Sequence, residues 1–165
     1  MIFSRIRGEV LFYNVERSFG KIAGSDGIFY LVRHSDITAQ NVYGLRFLVE
    51  GERVTFVPNR GDARNVALAV EADRQPEQYD ENYREDATVT AWNPKYGNGF
   101  ARRFSGDSVH VDKRDVISFG ELREGKEILF KPVAPEKGRN AWRAVEIEIY
   151  IDIEKGDESV CVQTL

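Results

Sequence analysis

Phe19 and Lys21 stand two residues apart, and so do Leu31 and Arg33. In extended chain the two-residue period puts Phe19 and Lys21 on one side, opposite Gly20 and Ile22, and puts Leu31 with Arg33 opposite Val32. A ring beside a cation suits an unpaired base, because the ring offers a stacking face and the cation a phosphate contact. Other chemistries find less support. The two histidines, His34 and His110, and the single cysteine, Cys161, give no zinc spacing, and both histidines read as surface or capping residues. Gly97-Asn-Gly-Phe100 lacks the Gly-Lys-Ser/Thr ending of a phosphate loop. No Ser/His/Asp order stands out, and acidic pairs are too common to mark a hydrolase. The expectation is a non-enzymatic chain with no catalytic residues, no metal and no cofactor.

The elements that must position these residues read as strands. The chain has 165 residues and 42% hydrophobic content, enough for one medium domain or two small ones with packed cores. Short period-2 stretches are separated by turn residues such as Ser25-Asp-Gly27, Asn59-Arg-Gly-Asp62 and Ser105-Gly-Asp107, and no stretch carries a helical stripe. The segment 71–86 has almost no aliphatic residue and reads as an acidic linker. On either side of it the chain repeats itself in order. Val10-Leu-Phe-Tyr-Asn14 answers Val89-Thr-Ala-Trp-Asn93, and Ser18-Phe-Gly-Lys21 answers Gly97-Asn-Gly-Phe100. Val49-Glu-Gly-Glu-Arg-Val-Thr-Phe56 answers Arg123-Glu-Gly-Lys-Glu-Ile-Leu-Phe130, and Asn65 to Glu71 answers Asn140 to Glu146. Each unit of about 70 residues and about five strands fits a small closed barrel, in which closure removes the sheet edges. The expected boundaries are a first barrel at 1–72, a linker at 73–86, a second barrel at 87–150, and a strand extension and tail at 151–165. The alternation Val145, Ile147, Ile149, Ile151, Ile153 predicts a last strand that outruns what closure needs, with Val160-Cys-Val162 as one partner for it.

The net charge of −4 looks wrong for a nucleic-acid binder until it is divided by segment. Residues 1–70 hold nine Lys/Arg and seven Asp/Glu, and residues 87–150 hold eleven and nine, so each is net +2. The acid sits in residues 71–86, net −5, and in residues 151–165, net −3. A local field matters more to a partner than the total, yet +2 permits nucleic-acid binding without demanding it. No apolar run is long enough to span a membrane, the N-terminus lacks a signal-peptide stretch, and a lone cysteine suits a reducing compartment. A cytoplasmic protein is expected.

Gly8-Glu-Val-Leu-Phe-Tyr-Asn-Val-Glu-Arg-Ser-Phe-Gly-Lys-Ile22 resembles the opening of the cold-shock domain, which typically reads Gly-x-Val-x-Trp-Phe-Asn and then Lys-Gly-Phe-Gly-Phe-Ile. Arg33-His-Ser-Asp-Ile37 and Leu48-Val-Glu-Gly-Glu-Arg-Val-Thr-Phe56 are similar to two further motifs of that family. The second unit matches more faintly, through Val89 to Ala101 and Ser108 to Val116. The resemblance implies an all-β chain of two tandem five-stranded barrels of the oligonucleotide-binding type, the second divergent, with bases stacked on one face.

By resemblance, Phe12, Phe19, Lys21, Leu31, Arg33 and His34 fall at the family's binding positions. Alternation alone would put Phe12 in the core with Val10; only the resemblance turns it outward. In the second unit the positions become Ala91, Asn98, Phe100, His110, Asp112 and Lys113, with Trp92 beside the first of them. Lys21 and Leu31 stand where the family has rings, and Asp112 sets an acid where phosphates would pass. The implied ligand is single-stranded RNA or DNA, RNA ahead of DNA, for an RNA chaperone or expression regulator. The competing reading is a protein-interaction module whose nucleic-acid face has eroded, with the second barrel meeting the protein partner. No membrane partner is expected, and the chain is expected as a monomer or weak dimer.

Overall fold

The computed structural model describes residues 4–38, 41–74 and 77–151. Ten strands are present among them. The first five are β1 (Ile6–Asn14), β2 (Phe19–Gly24), β3 (Phe29–Arg33), β4 (Arg53–Arg60) and β5 (Asn65–Ala72). The next five are β6 (Glu85–Asn93), β7 (Asn98–Arg103), β8 (Ser108–Asp112), β9 (Glu127–Val133) and β10 (Trp142–Ile149). Single 3-10 turns, His34–Asp36 and Lys113–Asp115, follow β3 and β8. Each set of five closes into a barrel of the same order, β1-β2-β3-β5-β4 and β6-β7-β8-β10-β9. In both, a short parallel pairing completes the closure, Leu31 with Val66 in the first and Trp142 with Val109 and Arg143 with His110 in the second. The fold is therefore all-β, two tandem five-stranded barrels of the oligonucleotide-binding type, as the strand pattern and the resemblance led one to expect.

Alternation fills each interior. Val10, Ile22, Tyr30, Val32, Val54, Phe56 and Val70 form the centre of the first core. Val89, Ala101, Val109, Val111, Ile128, Phe130 and Ile147 do so in the second. Smaller residues at Ala101 and Val109 of the second barrel answer Ile22 and Tyr30 of the first, since both pairs lie opposite each other across the β2–β3 and β7–β8 ladders. The second barrel also buries an ion pair. Arg103 donates from Nε and Nη2 to Glu85 at 2.7 Å each, with side chains 0% and 3% exposed, and the guanidinium lies 5.6 Å from the Trp142 ring. Glu85 and Asp86, read from sequence as the end of the linker, are the first residues of β6. Glu85 is drawn into the strand because Arg103 needs a counter-charge once it is out of water.

A β-bulge interrupts β1 and recurs at the same place in β6. The register with β2 slips between Val10 and Phe12, and the register with β7 slips between Val89 and Ala91. One extra residue on the bulged strand re-aims whatever follows it. Gly20 and Gly99 face these bulges, and a Cβ there would lie 2.3 Å from the Phe12 carbonyl and 1.9 Å from the Ala91 carbonyl. Only glycine lets the two backbones come so close. The closing strands carry a second pair of register shifts, opposite Ala69 in β5 and Glu146 in β10, both at a left-handed φ of 49°. The shift in β10 breaks the strict alternation expected from Val145 onward, leaving Ala144 and Ile147 buried with Val145 between. The strand ends at Ile149, and the expected continuation through Ile153 to Val162 lies outside the described residues.

The described chain forms two compact units, the first taking residues up to Asp80 together with Phe104–Asp107, the second the remainder. In the first unit the start of the acidic segment is held rather than free. Arg74 donates to the Glu52 carboxylate and to the Phe47 carbonyl, and the Tyr79 ring lies 5.8 Å from that of Tyr43.

Candidate nucleic-acid interface

The outer face of β1, β2 and β3 presents three cross-strand rows. Asn14, Phe19 and Arg33 form one; Phe12, Lys21 and Leu31 the next; Glu9, Ala23 and Phe29 the third. Their strand neighbours Val10, Ile22, Tyr30 and Val32 are all in the core, so these rows face outward together. Phe12 is 42% exposed. The bulge at Leu11 puts it there, overriding the alternation that would have buried it with Val10. Phe12 and the half-buried Phe19 meet edge to face at 5.9 Å.

The cations on this face differ in how free they are. Arg33 donates from Nε to Asp36 Oδ2 at 2.8 Å, which anchors its fork against the 3-10 turn while half the side chain stays in solvent. Lys21 has no carboxylate partner among the described residues. Its Nζ lies 4.6 Å from the centre of the Phe29 ring. Leu31, half-buried, floors the middle row.

His34 is not brought to these rows. It opens the 3-10 turn, and its Nε2 lies 3.1 Å from Asp107 Oδ1 but is poorly aligned for a hydrogen bond. Asp107 also accepts from the Arg46 amide at 2.7 Å, from Arg46 Nε at 2.8 Å and from Ser105 Oγ at 2.6 Å. Burial raises the proton affinity of this carboxylate, yet His34, Ser105 and Arg46 together outweigh burial and hold its pKa well below the ordinary range. Burial chiefly, and then Asp107, push the neighbouring Tyr13 hydroxyl up to about 12.

The corresponding face of the second barrel is poorer. Ala91 and Asn98 stand where the first barrel has Phe12 and Phe19. Phe100, 45% exposed, meets His110 edge to face at 5.5 Å, and these two rings sit together on the middle row. Asp112 is turned to its own chain: it caps the 3-10 turn through the Arg114 amide at 2.9 Å and takes two further bonds from the Arg114 guanidinium. The bonds from Arg114 hold its pKa low, and the acid is matched rather than bare. Trp92 packs half-buried against the second core. With Lys113, whose stem lies against Gly97, it walls a groove of about 780 Å³. Lys113 itself is exposed.

Phe29 and Tyr96 are among the exposed rings that the sequence reading passed over. Phe29 is 55% exposed at the start of β3, and Tyr96 is exposed in the β6–β7 turn with Lys95 Nζ 5.5 Å from its ring. The alternation that sets Leu31 and Arg33 outside extends to Phe29, so that ring was within reach. Nothing in the turn sequence singles out Tyr96. Among the described residues no three His, Cys, Asp or Glu side chains gather as a metal site, and no helix is long and apolar enough to cross a membrane.

No protein-family model matches the chain, and no curated protein does. Among solved structures, one described as "drosophila Unr CSD456" aligns at 17% identity with a TM-score of 0.35, covering 90% of this chain and 62% of that one. The present chain thus spans about 62% of the length of that structure.

Proposed function

We propose that the chain binds single-stranded nucleic acid without catalysis, RNA ahead of DNA, by stacking bases on the outer face of the first barrel. The observation that carries this reading is the pair Phe12 and Phe19, the first turned outward by a backbone bulge and the second by alternation, beside a lysine with no carboxylate partner among the described residues. A bulge that brings a large apolar ring into water lowers stability unless a ligand uses it. Base stacking on such a ring contributes about 1–3 kcal/mol per base. Lys21 and Arg33 supply phosphate contacts, and the second barrel adds a weaker site on Phe100 and His110, with Lys113 and Trp92 beside it. Action as an RNA chaperone or expression regulator in the cytoplasm fits this chemistry.

The test is titration of the full chain with a fluorescent single-stranded oligonucleotide across salt. Each phosphate neutralised on a single strand lowers log K by about 0.7 per decade of salt. With two cations on the face the slope should be shallow, roughly −1.4 by the same rule, and stacking should supply most of the affinity. Phe12→Ala and Phe19→Ala should each weaken binding about five- to a hundredfold. Absence of salt-sensitive binding by the intact chain would overturn the proposal. One observation favours the second reading, a protein-interaction surface on the second barrel: Ile117 and Phe119, in the loop after β8, are 65% and 74% exposed.

A further inference from the structure

The outer face of the first barrel carries one ring on each of its three rows, and the third ring has no part in the reading above. We infer that Phe29, with Lys21 beside its ring, is an additional stacking platform that lengthens the bound strand by one nucleotide. The inference rests on the nucleic-acid reading of this face.

A single exposed phenylalanine says little by itself. Phe29 is set apart by its surroundings. It shares the outward face with Phe12 and Phe19, its cross-strand neighbour is the small Ala23, and more than half of its surface stays in water. Rows on one face of a sheet step by about 6.7 Å along the strands. Phe19 on β2, Phe12 on β1 and Phe29 on β3 therefore occupy three successive steps, so a strand crossing the face meets a ring at each. The cold-shock motif has a ring where this chain has Lys21. Here the ring comes from the neighbouring strand instead, and Lys21 Nζ lies 4.6 Å from its centre. A base can take the open side of Phe29 while Lys21 turns from the ring to the adjoining phosphate. Glu9, outward in the same row, repels phosphate and directs the backbone toward the Lys21 side. The second barrel lacks the device, since the residue in the Phe29 position is Ser108, opposite Arg102.

The experiment uses the intact chain and fluorescent oligouridylates lengthened one nucleotide at a time. The variants are Phe29→Ala, Phe29→Leu, which keeps bulk but loses the ring, Phe29→Tyr, which keeps the ring, and Phe19→Ala. For the full-length ligand, the Ala and Leu variants should bind roughly five- to a hundredfold more weakly, with Tyr close to the parent. For a ligand one nucleotide short of the footprint, parent and Phe29→Ala should bind alike. Ultraviolet crosslinking should attach uridine to the peptide holding Phe29. If Phe19→Ala weakens binding while Phe29→Ala and Phe29→Leu match the parent at every length, the inference is overturned and the nucleic-acid reading stands. If the parent binds no oligouridylate, the nucleic-acid reading fails and takes the inference with it.

Discussion

Replacing Gly20 or Gly99 by alanine should damage one barrel at a time. The new Cβ of Gly20→Ala would lie 2.3 Å from the Phe12 carbonyl and 2.9 Å from the Tyr13 Cα, and that of Gly99→Ala 1.9 Å from the Ala91 carbonyl. Real Cβ contacts essentially never fall below 3.0 Å, and the atoms in the way are backbone, so no side chain can swing aside. The bulge itself must retreat, and Gly99→Ala demands the larger movement. Forcing extra bulk into a packed contact costs about 1–3 kcal/mol. For a domain of 60–100 residues each kcal/mol lowers the melting temperature by about 4–8 °C, so the expected drop is roughly 4–24 °C. The chain supplies its own reporters: both tryptophans, Trp92 and Trp142, lie in the second barrel. Gly99→Ala should shift the tryptophan-fluorescence melt. Gly20→Ala should shift part of the circular-dichroism melt and leave the fluorescence melt in place. Gly20→Ala should also weaken oligonucleotide binding, because the displaced bulge is what aims Phe12. Unchanged melts in both variants would refute the close-approach argument. A fluorescence shift in Gly20→Ala equal to the dichroism shift would refute separate folding of the barrels.

Three further outcomes follow from the geometry. Asp26 accepts from the Tyr30 hydroxyl at 2.5 Å and from Arg60 at 2.7 Å, which lowers its pKa to about 2. Because the folded value lies below the ordinary 3.8, its stabilisation is present above that pH and is lost as pH falls through about 2; Asp26→Asn should melt below the parent at pH 5, and the gap should narrow steadily as pH falls to 2. A carboxyl resonance of Asp26 titrating near 4 would contradict this. Either Glu85→Leu or Arg103→Met alone should cost about 3–5 kcal/mol, and the double replacement less than either, as read by denaturant unfolding on the tryptophan signal. Additive losses would show that the pair is not coupled. Phe19→Ala should weaken oligonucleotide binding more than Phe100→Ala, since Phe19 shares its face with Phe12 and Lys21 whereas the one ring in contact with Phe100 among the described residues is His110; the reverse order would move the principal site to the second barrel.

The barrels were legible because alternation and internal repetition are global signals. Val10, Ile22, Val32 and Phe56 fall inside wherever the strands are drawn. The aim of Phe12 was not legible from alternation, because one extra backbone residue at Leu11 inverts the phase and leaves no compositional mark. Gly20 is its nearest trace in sequence, and only the resemblance made the outward placement expected. Glu85 was read as linker because acidic residues in an aliphatic-poor run look solvated. Its partner Arg103 lies 18 residues on, and a pairing at that separation is invisible to local pattern. His34 stood beside Arg33 in the motif, but the chain turns between them, and Asp107, which its ring approaches, is far away in sequence. The alternation from Val145 does not run unbroken through β10, since the positive φ at Glu146 resets its phase.

The paired bulges also bear on engineering. Each barrel holds a display position, residue 12 in one and residue 91 in the other, whose outward aim is set by backbone and a facing glycine rather than by the side chain displayed. Such a position works as a socket. Ala91 can be exchanged for a phenylalanine, and Asn98 for another, without touching Val89, Ala101 or Val111 behind them. The second barrel then becomes a blank template on which the outward rows of the first can be copied, shortened or recombined.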